Sequence, residues 1–137
     1  MVQKTKVHNK QRALSDAVQL VYQGQPNKAL NTVKKTFTVN SSEYLFFKGW
    51  IAQLQGKIDK AISWFEKSLK KQPTNIYSIE GLVGCYIDTQ QYEFALECAE
   101  QLNLLDKNSA KNTFTLATAR SYYFRGHKQE LTNTLEY

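Results

Sequence analysis

A glycine, or a residue standing in for it, is followed five positions later by an alanine, or its substitute, at a nearly constant spacing along this chain. Gly24 and Ala29 bracket GQPNKA, and Gly56 and Ala61 bracket GKIDKA. Gln90 and Ala95 bracket QQYEFA, with glutamine in the glycine position. Gly126 and Leu131 bracket GHKQEL, with leucine in the alanine position. The steps from 24 to 56, 56 to 90 and 90 to 126 are 32, 34 and 36 residues. A frame of about 34 residues, four times over, accounts for nearly all of the 137. A fixed period of roughly 20–50 residues marks stacked supersecondary units and outranks any other fold hypothesis.

Each frame reads as two helices. Leu45, Gly49, Ala52 and Gly56 fall at steps of four, three and four, which is one helical face. Beyond the glycine, Ile58, Ala61, Ile62, Phe65 and Leu69 repeat the pattern. Ser41 and Ser42 followed by Glu43 read as an N-terminal cap. Gly56 suits a helix C-terminus, where a positive φ is needed. Pro26 suits the first turn of a helix, and Pro73 ends one. Gly49 and Ala61 permit a close crossing of two helices, and Phe65 fills the space beside it. The third frame continues with Ile79, Leu82, Val83, Tyr86, Tyr92, Ala95, Leu96, Ala99 and Leu102, and the fourth with Ala119, Tyr122, Gly126, Leu131 and Leu135. One hairpin cannot bury both of its faces, so each stacks on its neighbour.

These positions make the chain similar to the tetratricopeptide repeat family. Residues 42–75 carry the resemblance best, with Leu45, Gly49, Gly56, Ala61, Phe65, Ser68 and Pro73 at positions that family favours. Leu82, Tyr86, Tyr92 and Ala95 match again in the third unit. The tryptophan often found early in the first helix is missing from every unit, Gln90 replaces the loop glycine, and Lys107 replaces the terminal proline. The resemblance implies an all-α, right-handed superhelical solenoid of antiparallel helix hairpins. The expected layout is a basic segment at 1–9, then one domain over 10–137 with units at about 10–41, 42–75, 76–109 and 110–137. It also implies protein or peptide binding, with the first helices lining a concave groove.

The free face of each first helix then becomes the candidate site. It carries Leu14, Val18 and Val21 in the first unit, and Phe46, Trp50 and Leu54 in the second. Tyr77, Gly84 and Ile87 follow in the third, and Leu116, Arg120 and Tyr123 in the fourth, with Glu80 and Arg120 as the clearest charges. Relatives that clamp a C-terminal carboxylate use Lys, Arg and Asn on this face, and Phe46, Trp50, Tyr77 and Gly84 argue against that mode. An apolar side chain leaving water contributes about 1.5–3 kcal/mol, so a few anchors around Trp50 support an amphipathic helix or an extended apolar segment. The competing reading makes Phe46, Trp50 and Leu54 core between neighbouring first helices.

The net charge of +6 is unevenly spread: residues 1–72 hold 13 Lys/Arg against 4 Asp/Glu, and residues 73–137 hold 5 against 8. Lys28, Lys34, Lys35, Lys57, Lys60, Lys67, Lys70 and Lys71 fall on or beside the second helices of the first two units, which the resemblance puts on the convex side. Such a patch attracts nucleic acid, an acidic protein or a membrane surface. Against the nucleic-acid reading, no stacking aromatic and no arginine cluster is expected among these lysines. The plain alternative is a solvated face whose last lysines complement a helix dipole.

Catalysis, cofactors and metals find no support. Asp59/Glu66 and Glu97/Glu100 read as solvated helical carboxylates, and no nucleophile arrangement or phosphate-cradling loop occurs. Cys85 and Cys98 form no CxxC pair, and His8 and His127 lie far apart in sequence. The thiols fit a reducing, cytoplasmic setting. No apolar run approaches the roughly 18 residues of a membrane span, and no secretory signal follows the basic N-terminus. The expected function is a protein-interaction scaffold, acting as an adaptor or as a chaperone for a secreted or assembling component. The alternatives are a nucleic-acid-associated module and an oligomer self-associating through Leu131 and Leu135, the apolar edge a solenoid normally caps.

Overall fold

The computed structural model describes the backbone of residues 2–135 and the side chains of residues 9–129. It contains seven helices: α1 (Val2–Tyr22), α2 (Pro26–Thr36), α3 (Ser42–Leu54), α4 (Ile58–Lys71), α5 (Ile76–Asp88), α6 (Tyr92–Leu105) and α7 (Ala110–Leu135). No strand occurs among the described residues. The chain divides into two compact units, Met1–Pro73 with α1 to α4 and Thr74–Tyr137 with α5 to α7.

The turns inside the hairpins share one geometry. After α1, the Gly24 amide donates to the Val21 carbonyl at 3.0 Å and the Gln25 amide to Leu20 at 2.8 Å. After α3, Gly56 and Lys57 donate to Gln53 and Ala52 at 3.0 and 2.9 Å. After α5, Gln90 and Gln91 donate to Ile87 and Tyr86 at 3.0 and 2.8 Å. Each is the paired 5→2 and 6→1 bonding of a Schellman cap, which requires a left-handed residue just past the helix. Gly24 and Gly56 take it at φ 74° and 77°, and Gln90 takes it at 61°. The repeat frame holds even where glycine is missing.

In the first unit a buried cluster of Ala17, Val21, Ala29, Val33, Tyr44, Phe47 and Ile51 joins α1, α2 and α3. Helix α3 also meets α4, where Gly49 lies against the fully buried ring of Phe65. Ser41 caps α3 by accepting from the Tyr44 amide at 3.1 Å. Ser42 is buried and bonds across to α4. Its hydroxyl lies 2.9 Å from the Ser68 hydroxyl, and the Ser68 hydroxyl donates to the Ser42 carbonyl at 2.8 Å. Pro26 opens α2, and α4 ends at Lys71, before Pro73.

In the second unit Val83, Ala99, Leu116 and Ala119 form a buried cluster between α5, α6 and α7. Asn75 caps α5 by accepting from the Ser78 amide at 3.2 Å. The buried Asn112 side-chain amide donates to the Leu102 and Asp106 carbonyls at 3.3 and 3.5 Å, adding a second donor to oxygens that also accept from the Asp106 and Ser109 amides and so tying α7 to the end of α6.

The fourth frame departs from the expected hairpin. Helix α7 runs unbroken from Ala110 to Leu135, straight through Gly126. Glycine there costs about 1 kcal/mol of helix propensity relative to alanine, but it makes room. A Cβ on Gly126 would sit 2.9 Å from Cδ2 of Tyr92. Gly126 therefore serves a close approach rather than a turn.

Candidate partner-binding surfaces

The sequence-predicted site residues of the first unit come together on one cluster. Leu14, Val18, Phe46 and Trp50 are half-buried and pack on the Ala17–Phe47 core, while Val21 belongs to that core. Phe46 and Trp50 stack with ring centroids 6.0 Å apart and planes at 18°. Tyr22 meets Trp50 edge-on at 5.5 Å, and Phe46 lies 6.0 Å from Phe65. One side of this aromatic group is therefore structural. Its other side opens to solvent: Tyr22 is 78% exposed and Leu54, four residues beyond Trp50, is 62% exposed. Sequence reasoning passed over Tyr22, because it sits in the last turn of α1 and follows Val21 out of the apolar stripe.

In the second unit the predicted residues are more dispersed. Tyr77 is 58% exposed near the start of α5. Ile87 packs half-buried on the Val83–Leu116 cluster, and Leu116 is buried within it. Arg120 is exposed on α7. Glu80 accepts from Lys111 Nζ at 3.1 Å. Tyr123 stacks on His127, centroids 6.2 Å apart and planes at 2°. It lines an open cleft of about 710 Å³ together with Tyr92, Phe94, Tyr122, Arg125 and His127. Tyr92 and Tyr122 stack across helices at 5.5 Å, and the Arg125 guanidinium lies 4.8 Å over the Tyr122 ring. The local density of aromatics in QQYEF and SYYF was the available signal for this cleft.

The five lysines Lys57, Lys60, Lys67, Lys70 and Lys71 are all exposed. The expectation that no aromatic lies among them is corrected by Trp64. This residue is half-buried on α4, with the ammonium groups of Lys67 and Lys48 4.7 and 5.3 Å from its ring centre. The sequence reading passed over it, since it adjoins Phe65 in an apolar run. Phe65 points inward and is fully buried, and the neighbouring position turns outward.

The side chains of Leu131 and Leu135, the expected self-association edge, lie outside the described residues. Among the described residues, no helix is long and apolar enough to cross a membrane, and no group of His, Cys, Asp and Glu is placed to hold a metal ion. Cys85 is buried and Cys98 half-buried.

The fold has known counterparts. Residues 42–75 match the family model described as tetratricopeptide repeat. The first tetratricopeptide domain of the human RPAP3 protein superposes with a TM-score of 0.71 at 13% identity, covering 88% of this chain and 97% of that one. A double mutant of MamA gives 0.66 at 20% identity, covering 85% and 67%. The second such domain of human RPAP3, solved with the HSP70 peptide SGPTIEEVD, gives 0.64 at 8% identity, covering 84% and 98%. No curated protein matches the chain. The resemblance to the tetratricopeptide repeat family read from the sequence therefore holds, and the chain has the all-α helical-repeat fold of that family.

Proposed function

We propose that this chain is a protein-interaction module that takes apolar or amphipathic protein segments, on the surface around Trp50 in the first unit and, separately, on that around Tyr123 in the second. The observation that supports it most is the half-open aromatic group of Tyr22, Phe46 and Trp50, flanked by exposed Leu54. Half-buried tryptophan and tyrosine held rigid by neighbours are the side chains that anchor partners, because they bury large area at little entropic cost. The groove reading adds Leu14 and Val18 to the surface of the first unit, and Tyr77, Ile87 and Arg120 to that of the second. Peptide recognition by RPAP3's second domain lends precedent for the fold. The ligand differs in character: an aromatic site favours an apolar segment over an acidic tail such as the EEVD end of that peptide. Adaptor work and holding of an assembling component are the forms this activity takes. The buried thiol of Cys85 suits a reducing cytoplasmic setting, and the reading requires no catalytic residue or cofactor.

The test is binding to an array of amphipathic and acidic peptides. Amphipathic peptides are expected to bind wild type, and Trp50→Ala and Leu54→Glu are expected to abolish that binding. Leu54→Glu matters because Leu54 is largely exposed, so its loss of binding cannot come from unfolding of the core. Unchanged binding in both variants would sink the proposal. Self-association is the competing outcome, and a rise in mass with concentration in sedimentation would register it.

A further inference from the structure

The lysines of α4 and Trp64 form one row. Lys60, Trp64, Lys67 and Lys71 are spaced by four, three and four residues and share one helical face, with Lys57 at the N-cap starting the line. At about 1.5 Å per residue the row runs roughly 21 Å from Lys57 to Lys71. Asp59 and Glu66, the acidic residues of α4, lie off this face by helical spacing. Among the described residues, none of Lys48, Lys57, Lys60, Lys67 and Lys71 is ion-paired with a carboxylate. At the middle of the row is a partly open indole, already attracting two ammonium groups at 4.7 and 5.3 Å.

We infer that this lysine–tryptophan row on α4 is a track for single-stranded nucleic acid, with the lysines on successive phosphates and Trp64 stacked on a base. A line of cations interrupted by an aromatic platform is how proteins hold single strands without reading their sequence. The charges are all lysine, and an ammonium meets a phosphate as a point charge on a flexible stem, which suits a backbone held without sequence readout. The indole at the middle of the row is what favours a strand with free base faces over an acidic polypeptide. A duplex satisfies the lysines but leaves the indole idle, since its bases present no free face. A base arriving on Trp64 displaces the ammonium groups of Lys48 and Lys67, which turn to the flanking phosphates. The track is independent of the aromatic surface proposed for protein segments, and Leu54→Glu is expected to leave it intact.

The experiment is fluorescence anisotropy of the full chain with a labelled oligouridine of about 12 nucleotides, across about 50 to 200 mM salt. Three or four phosphate contacts predict a log–log salt slope of about −2 to −3. Lys60→Glu/Lys67→Glu should weaken binding about tenfold or more and flatten the slope by at least about one. Trp64→Leu should weaken it about tenfold with the slope unchanged. The inference is overturned if the slope is flat, if a folded Trp64→Leu binds as wild type does, or if poly-glutamate or a hairpin duplex competes as well as unlabelled oligouridine. Should Trp64→Leu lose its helical circular dichroism, the double lysine variant and the two competitors decide alone.

Discussion

The ring of Phe65 fills the place that residue 49 would give to a Cβ. An ideal Cβ on Gly49 would lie 2.7 Å from both Cδ1 and Cε1 of Phe65, closer than carbon atoms approach. Phe65 is fully buried, so its ring has nowhere to retreat. Gly49→Ala is therefore expected to destabilise the protein by about 1–3 kcal/mol, the usual cost of overpacking, despite the better helix propensity of alanine. The companion change is Gly126→Ala, whose Cβ would meet Tyr92 at 2.9 Å. Tyr92 is only half-buried and can swing away, so this change should lie within about 1 kcal/mol of neutral. Urea unfolding of both variants checks the pair, and equal losses would contradict the account.

The left-handed cap after α5 makes the opposite prediction for Gln90. A non-glycine residue at positive φ costs roughly 1–2 kcal/mol, against which glycine loses about 0.5–1 kcal/mol of chain entropy. Gln90→Gly is expected to stabilise by about 0.5 kcal/mol or somewhat more, read as a higher urea midpoint with an unchanged slope. A lower midpoint would mean that the glutamine side chain compensates for its backbone.

The buried serines of α3 and α4 couple two helix ends. Ser68 donates to the Ser42 carbonyl at 2.8 Å, and the two hydroxyls lie 2.9 Å apart. Removing either hydroxyl loses the buried bond it donates to the other residue's carbonyl and the contact between the two hydroxyls, at about 0.5–1.5 kcal/mol. Ser42→Ala and Ser68→Ala should each fall in that range, and the double variant should cost less than their sum. A double-mutant cycle measures the coupling. Strict additivity would show that the two hydroxyls act independently.

Most of the fold was legible because its marks are chemical necessities of a hairpin. Gly24 and Gly56 announce left-handed caps, Pro26 and Pro73 bound helices, and Gly49 with Phe65 announces a crossing. Gln90 was legible only by register, since nothing in the residue itself asks for positive φ. Gly126 misled for the converse reason: glycine signals either a turn or a close approach, and only the position of Tyr92 decides which. The candidate site was less legible. Periodicity assigns Phe46 and Trp50 to a face, yet that face is half core and half open. How far Tyr22 and Leu54 extend it depends on where α1 and α3 end. Trp64 escaped because it adjoins Phe65, and one helical position separates the most buried aromatic of α4 from its outward-turned one.

Cys85 supplies a pH-dependent prediction. Burial in the core, and secondarily the nearby carboxylate of Asp88, push its thiol up from 9.0 to about 11. The unfolded chain loses this proton near pH 9 while the folded chain keeps it, so the folded state binds more protons across that window. Its contribution to stability is complete below about pH 9 and is lost as the pH rises toward 11, amounting to roughly 2–3 kcal/mol. Cys85→Ala removes this dependence and retains the titrations of lysine and tyrosine that both proteins share. The free energy of urea unfolding should therefore fall more steeply between pH 8.5 and 10.5 for wild type than for Cys85→Ala. Parallel curves would show that the thiol does not carry the effect. The same burial predicts that iodoacetamide at pH 8 labels half-buried Cys98 well before Cys85, a difference that mass spectrometry of the labelled peptides resolves and that unfolding in urea should erase.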